Sequence, residues 1–281
     1  MRHLNPENFN VANDPFFLRI KSRIEQNICR RINISCLGEI DKFSRNEIEC
    51  PDLDLRTDVH LACYIDANLR QMLSSLNIRY DYIQFPVNIR LLHPEQDDAY
   101  TLRDNNVDTI HCDHWSGSPI DSQNFFLYIR LCSRSPILKH YLIPSSQSHR
   151  LKSYRGSHIG APKFAFQEII NQPFEGLLQS FPCTIPHKIA RNGHNITISI
   201  DFRARNHSEI FQKDLKNKSI DAWILNKMTS LGVYWHWGEK QSETIHDRIM
   251  DELLQARRVS PEYARIRVEY LKKHYGHFYS L

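Results

Sequence analysis

Between residues 80 and 205 the chain breaks into short segments of alternating character: "YDYIQFPVNIRLLHP", "VDTIHCDH", "NFFLYIRLC", "HYLIPSS", "FPCTIPHKI" and "HNITISIDFRAR". Each is rich in β-branched or aromatic residues and is bounded by Pro, Gly, Asn, Asp or Ser. Successive side chains of an extended strand point to opposite faces, so this pattern suits strands with one face in a core. No long helical pattern separates them. The expected fold is mainly β with flanking helices: an antiparallel barrel or jelly roll (a double-stranded β-helix, cupin-like). A polar, basic stretch, "SSQSHRLKSYRGSHIGAPK", interrupts the strands. It reads either as a surface loop or as a lid facing an anionic substrate.

Helical periodicity lies on both sides of this core. Phe17, Ile20, Ile24, Ile28 and Ile32 recur at three- or four-residue spacing, as do Leu61, Ile65, Leu69, Leu73 and Leu76. Both sets describe helices with one apolar face, the second capped by Thr57 or Asp58. After Arg205, "SIDAWILNKMTSLG", "SETIHDRIMDELLQARR" and "SPEYARIRVEYLKKHYG" are amphipathic again. The expected organisation is one domain: a helical segment over 1–79, the β core over 80–205 and a helical extension over 206–281. The extension would serve as a substrate cap, a scaffold or a homodimer contact.

Composition narrows the setting. A hydrophobic fraction of 41% excludes a disordered chain, and a net charge of +4 compels neither a nucleic-acid nor a membrane partner. No apolar run reaches the length of a bilayer span, and "MRHLNPENFNVANDPFF" lacks a signal-peptide pattern. Seven cysteines, odd in number and never spaced C-x-x-C, fit reduced thiols in a cytoplasmic protein. Without a dense Lys/Arg stripe, a nucleic-acid partner has little support. A small-molecule partner is expected.

"HCDHWSG" (111–117) concentrates ligand-type side chains. In an extended segment His111 and Asp113 share a face while Cys112 and His114 point the other way. One imidazole and one carboxylate, completed by a histidine from another strand, make the two-His-one-carboxylate facial triad of non-haem Fe(II) sites. A His-x-Asp also arises by chance. The second half of the pattern is "PHKIARNGHNITISIDFRAR", which offers His187 or His194 as a third ligand. Its strand carries Thr197, Ser199, Asp201, Arg203 and Arg205 on one face, as a strand lining a polar site or an edge strand in water would.

Taken together, His111, Asp113, Trp115, Ser116 and Gly117, with His187, Asn192, Ser199, Asp201 and Arg203, resemble the Fe(II)/2-oxoglutarate-dependent dioxygenases. The likeness is to the streptomycin-biosynthesis-type and carbohydrate-cluster oxygenases of the phytanoyl-CoA dioxygenase-like clan, over about residues 80–205. It implies His111, Asp113 and His187 as iron ligands and catalytic centre, with Fe(II), 2-oxoglutarate and O2 as cofactors. Arg203 would hold the cosubstrate carboxylate. Ser199 would be a further cosubstrate contact, and Arg90 and Tyr128 contacts to cosubstrate or substrate, although Arg90 also reads as an ion pair and Tyr128 as packing. Thr197 stands where many relatives carry an arginine. The implied reaction is oxidation, first of all hydroxylation, of a C–H bond in a small polar, sugar-derived or secondary-metabolite substrate. Alternatives are a metal-dependent cupin-type enzyme without 2-oxoglutarate and a non-catalytic carbohydrate-binding barrel. The remaining histidines His140, His149, His158, His274 and His277 read as solvated, and "YWHWGEK" as an aromatic seal.

Overall fold

The computed structural model describes residues 6–44, 59–80, 82–85, 87–94, 108–116, 118, 120–154, 163–191, 193–206 and 234–237. Its helices are α1 (Pro15–Ile32), α2 (Asp41–Ser44), α3 (Val59–Ser75) and α4 (Ser148–Ser153). Its strands are β1 (Glu7–Asn10), β2 (Tyr82–Phe85), β3 (Asn88–Leu92), β4 (Gln123–Arg130), β5 (Ile137–Leu142), β6 (Gln167–Ile169), β7 (Leu177–Pro182), β8 (His187–Ala190), β9 (Thr197–Arg205) and β10 (Tyr234–Trp237). The three helices expected after Arg205 lie outside the described residues; the described residues 234–237, from the "YWHW" cluster, form β10.

The start and stop of α1 follow from its sequence. Asp14 Oδ1 accepts the backbone N–H groups of Phe16 at 2.8 Å and Phe17 at 3.2 Å, and Pro15 occupies the first turn, where no N–H is needed. Arg30 and Arg31 sit in the last turn, next to the negative end of the helix dipole. Asn33 then takes a left-handed φ of 54° and ends the helix.

The chain divides into two compact units. The first, residues 1–13, 28–53 and 89–201, holds two sheets. In the larger, the order is β1-β7-β4-β9, with β3 also on β9; the smaller is β6-β5-β8. The β1–β7, β4–β7, β5–β6 and β5–β8 pairs are antiparallel, and the backbone of His111 is bridged antiparallel to His187. Followed in order, β3, the His111 bridge, β4, β5, β6, β7, β8 and β9 pass back and forth between the larger and smaller sheets. That is a jelly roll. Its core joins Phe126, Tyr128, Leu177 and Phe181 of the larger sheet to Leu138 and Ile189 of the smaller. Two alternating runs each hold parts of two strands: "YDYIQFPVNIRLLHP" contains β2 and β3, and "FPCTIPHKI" runs from the end of β7 into β8. At the turn into β9, Gly193 has φ +92°, and a Cβ there would run into the Arg134 carbonyl.

The second unit comprises residues 14–27, 54–88 and 202–281. In it β2 pairs with the end of β9 (Tyr82 opposite Arg205) and with β10 (Phe85 opposite Tyr234). α3 buries Leu61, Ile65, Leu69, Met72 and Leu73. Asp66, fully buried on this helix, is held by Arg70 one turn on, while burial raises its pKa.

Candidate metal centre

The segment expected as a strand through "HCDH" is mostly a turn. His111 makes its bridge to His187 through two backbone hydrogen bonds, His111 N to His187 O at 2.9 Å and His187 N to His111 O at 2.8 Å. Asp113–Ser116 then winds into a 3-10 turn. The reason is visible below the turn. Trp115, 2% exposed, donates its indole N–H to the Leu151 carbonyl at 3.1 Å, and its ring packs against Tyr154 and Phe164. His114 places its ring nitrogens 3.0 Å from the Leu151 carbonyl and 3.3 Å from that of Cys183, and the Cys112 thiol lies 3.4 Å from the Thr184 carbonyl. An apolar anchor under the turn thus outweighs ladder pairing. The basic loop is likewise ordered over 145–154, where Leu151 of α4 is buried in the same cluster. His149 is exposed, and His158, Gly117 and Asn192 lie outside the described residues.

With Cys112 and His114 turned into this packing, His111 and Asp113 converge with His187 from β8. One ligand-type atom from each of the three lies within 4.8 Å of the others. His111 Nδ1 is 2.8 Å from the Thr109 carbonyl and His187 Nδ1 is 2.9 Å from the Ile185 carbonyl. A carbonyl only accepts, so each Nδ1 carries a hydrogen, and in that tautomer the Nε2 atom is the one that can ligate. Those Nε2 atoms stand 3.7 Å and 3.8 Å from the same Asp113 Oδ1, wider than hydrogen bonds. Backbone carbonyls that fix the tautomer and aim of two histidines are the usual support of a metal-ligating imidazole. Two imidazoles and a carboxylate fit a mononuclear divalent ion with further positions open.

The structure places the other expected residues less uniformly. Arg90 is ion-paired with Asp201 through both Nε and Nη2. Tyr128 is fully buried; its hydroxyl accepts the Leu138 N–H at 2.9 Å, and burial raises its pKa. Ser199 is buried with its hydroxyl unpartnered. Thr197 donates to the Pro136 carbonyl at 2.7 Å. Arg203, in the second unit, donates to Gln84 Oε1 at 3.3 Å. His194 is exposed in the turn before β9, where its amide donates to the Arg134 carbonyl.

His140 corrects the reading of the remaining histidines as solvated. It is fully buried on β5, directly opposite His187, with neither ring nitrogen hydrogen-bonded. Burial first, and then His187, push its pKa down to about 3, so the ring is neutral. Each buried polar atom left without a partner costs on the order of 1–3 kcal/mol. Asn124, 4% exposed on β4, is in the same state at both ends of its amide. The signal was there in part: in "ILKHYL" the histidine alternates with Leu138, on the face an apolar residue should occupy.

A jelly roll carrying two imidazoles and a carboxylate defines a β-barrel with a candidate mononuclear metal centre. No protein-family model and no curated protein matches the chain. Among solved structures it is similar to a prolyl-4-hydroxylase of Pseudomonas putida at 12% identity and TM-score 0.34, over 73% of this chain and 90% of that one. It is also similar to an N-substituted L-amino acid dioxygenase from Burkholderia ambifaria. Solved in complex with alpha-KG, that enzyme matches at 15% identity and TM-score 0.30, over 52% of this chain and 63% of the other. In a second structure of it the values are 16% and 0.31, over 62% and 80%. Among the described residues, no helix is long and apolar enough to cross a membrane.

Proposed function

We propose that the chain is a non-haem Fe(II) oxygenase that consumes 2-oxoglutarate and O2 and oxidises a C–H bond of a small polar substrate. The observation that carries this reading is the triad: two histidines with Nδ1 tied to backbone carbonyls, both Nε2 atoms facing one Asp113 oxygen, on a jelly roll. His111, Asp113 and His187 would hold the iron. Bound together, the ion and its cosubstrate supply oxidative decarboxylation to succinate and CO2, coupled to oxygen transfer into the substrate. The protein's share is to keep three ligands on one side of the ion and to wall the site with Phe181, whose ring centroid lies 5.0 Å from that of His187. Ser199 offers a free hydroxyl on the buried face of β9. The sugar-derived or secondary-metabolite class of substrate rests on the sequence resemblance alone.

The direct test is succinate formation by anaerobically reconstituted protein after admission of O2. The account expects succinate only when both Fe(II) and 2-oxoglutarate are present, and none from Asp113→Ala.

A second reading, a metal-dependent barrel enzyme without 2-oxoglutarate, draws on the engagement of Thr197 with Pro136 and of Arg90 with Asp201. Iron-dependent turnover that ignores the omission of 2-oxoglutarate would favour it.

A further inference from the structure

The unit that carries the triad buries polar atoms that its own hydrogen bonds do not use. His140 lacks a partner on either ring nitrogen, Asn124 on its amide oxygen and nitrogen, and Ser199 on its hydroxyl. The first two flank one aromatic ring. Phe181 stands directly opposite Asn124 in the β4–β7 ladder, and its ring centroid lies 4.4 Å from that of His140. The same ring lies against His187, and His140 is itself 6.4 Å from His187 between centroids. A leucine at either position would fill the space without burying unpaired polar atoms. Local rules broken at His140 and Asn124, on strands of both sheets and about one ring that lies against a ligand histidine, mark a place kept for a ligand.

We propose that His140 and Asn124 are positioning residues that donate hydrogen bonds to the metal-binding carboxylate of the 2-oxo acid, an inference that rests on the oxygenase reading above. An anionic oxygen matches what they offer. A neutral imidazole has one N–H to donate, and an amide nitrogen two. The buried Arg130 of this unit is already neutralised by Asp41, at 2.6 and 3.0 Å, and Arg90 is paired with Asp201. The two donors, an imidazole N–H and an amide, are themselves uncharged. They serve the end of the cosubstrate next to the metal, because Phe181 touches His187 as well as His140.

The test titrates protein loaded with redox-inert Zn(II), using two probes: 2-oxoglutarate, and oxalate, which keeps only the metal-chelating end. His140→Leu and Asn124→Leu should each bind both probes about ten- to a hundredfold more weakly, the range for one hydrogen bond to a charged group. The factor should be the same for the two probes. Zinc content should be unchanged and the metal-free melting temperature equal or higher. His140→Gln, which keeps a donor, should recover part of the affinity. Loss of 2-oxoglutarate affinity without loss of oxalate affinity would place the pair at the far end and overturn the proposal. So would wild-type affinity for both probes in either leucine variant, or loss of zinc. Wild-type protein that holds zinc yet binds neither probe would sink the oxygenase reading itself.

Discussion

The two ends of β4 handle buried polarity in opposite ways. At its last residue, Arg130 makes a two-pronged pair with Asp41 and also donates to the Ile196 carbonyl, while Asp41 accepts the Ile196 N–H at 2.9 Å. Nearby on the same strand, the Tyr128 hydroxyl takes the Leu138 N–H. Every one of these groups is answered from within the chain. At the start of the strand Asn124 is answered by nothing, and across Phe181 stands His140 in the same condition. One end is built to hold the barrel closed. The other carries a cost that only a bound partner removes.

That contrast can be broken by mutation. The largest effect is expected at the closed end: Asp41→Ala strands the Arg130 guanidinium and the Ile196 N–H, and should cost about 3–5 kcal/mol by denaturant unfolding. Metal affinity of the fraction that folds should stay as in wild type. Tyr128→Phe leaves the Leu138 N–H unanswered and should cost about 1–3 kcal/mol, again without loss of metal. If either change removed metal but left stability alone, the division between the two ends would be wrong.

The smallest effect sharpens the comparison through pH. Burial holds the His140 pKa at about 3, below its ordinary 6.5, so as pH falls through that window the unfolded chain takes up a proton that the folded chain refuses. Stability present above pH 6.5 is lost progressively toward pH 3. His140→Leu lacks this component. In metal-free protein its stability relative to wild type should rise steadily as pH drops across the window, read by unfolding curves at several pH values. A constant gap would mean that His140 is not buried as a neutral ring.

Much of the scaffold was legible because its signals are local. α1 runs over the apolar stripe read from Phe17 to Ile32, and β4 and β9 fall within single alternating runs. Alternation does not show where a strand leaves one sheet for the other, so the corner between β7 and β8 was hidden inside "FPCTIPHKI". At the site, residue type and resemblance point to His111, Asp113 and His187 as ligand candidates, and the structure brings those three together. The route differs: a 3-10 turn, set by Trp115 packing on Leu151 and Phe164, takes the place of a strand. That contact joins residues far apart in sequence and leaves no periodic trace. His140 escapes the sequence for a related reason, since one histidine in a strand looks alike whether it faces water or the core.

The central claim is that three side chains, held by two short backbone anchors, grip one ion. Metal content after anaerobic loading with Fe(II) and removal of free metal tests it most directly, with wild type beside a folded His187→Ala variant. The account predicts one iron per wild-type chain and none in the variant. Iron retained at full stoichiometry in the variant, or no tight iron in the wild type, would contradict it.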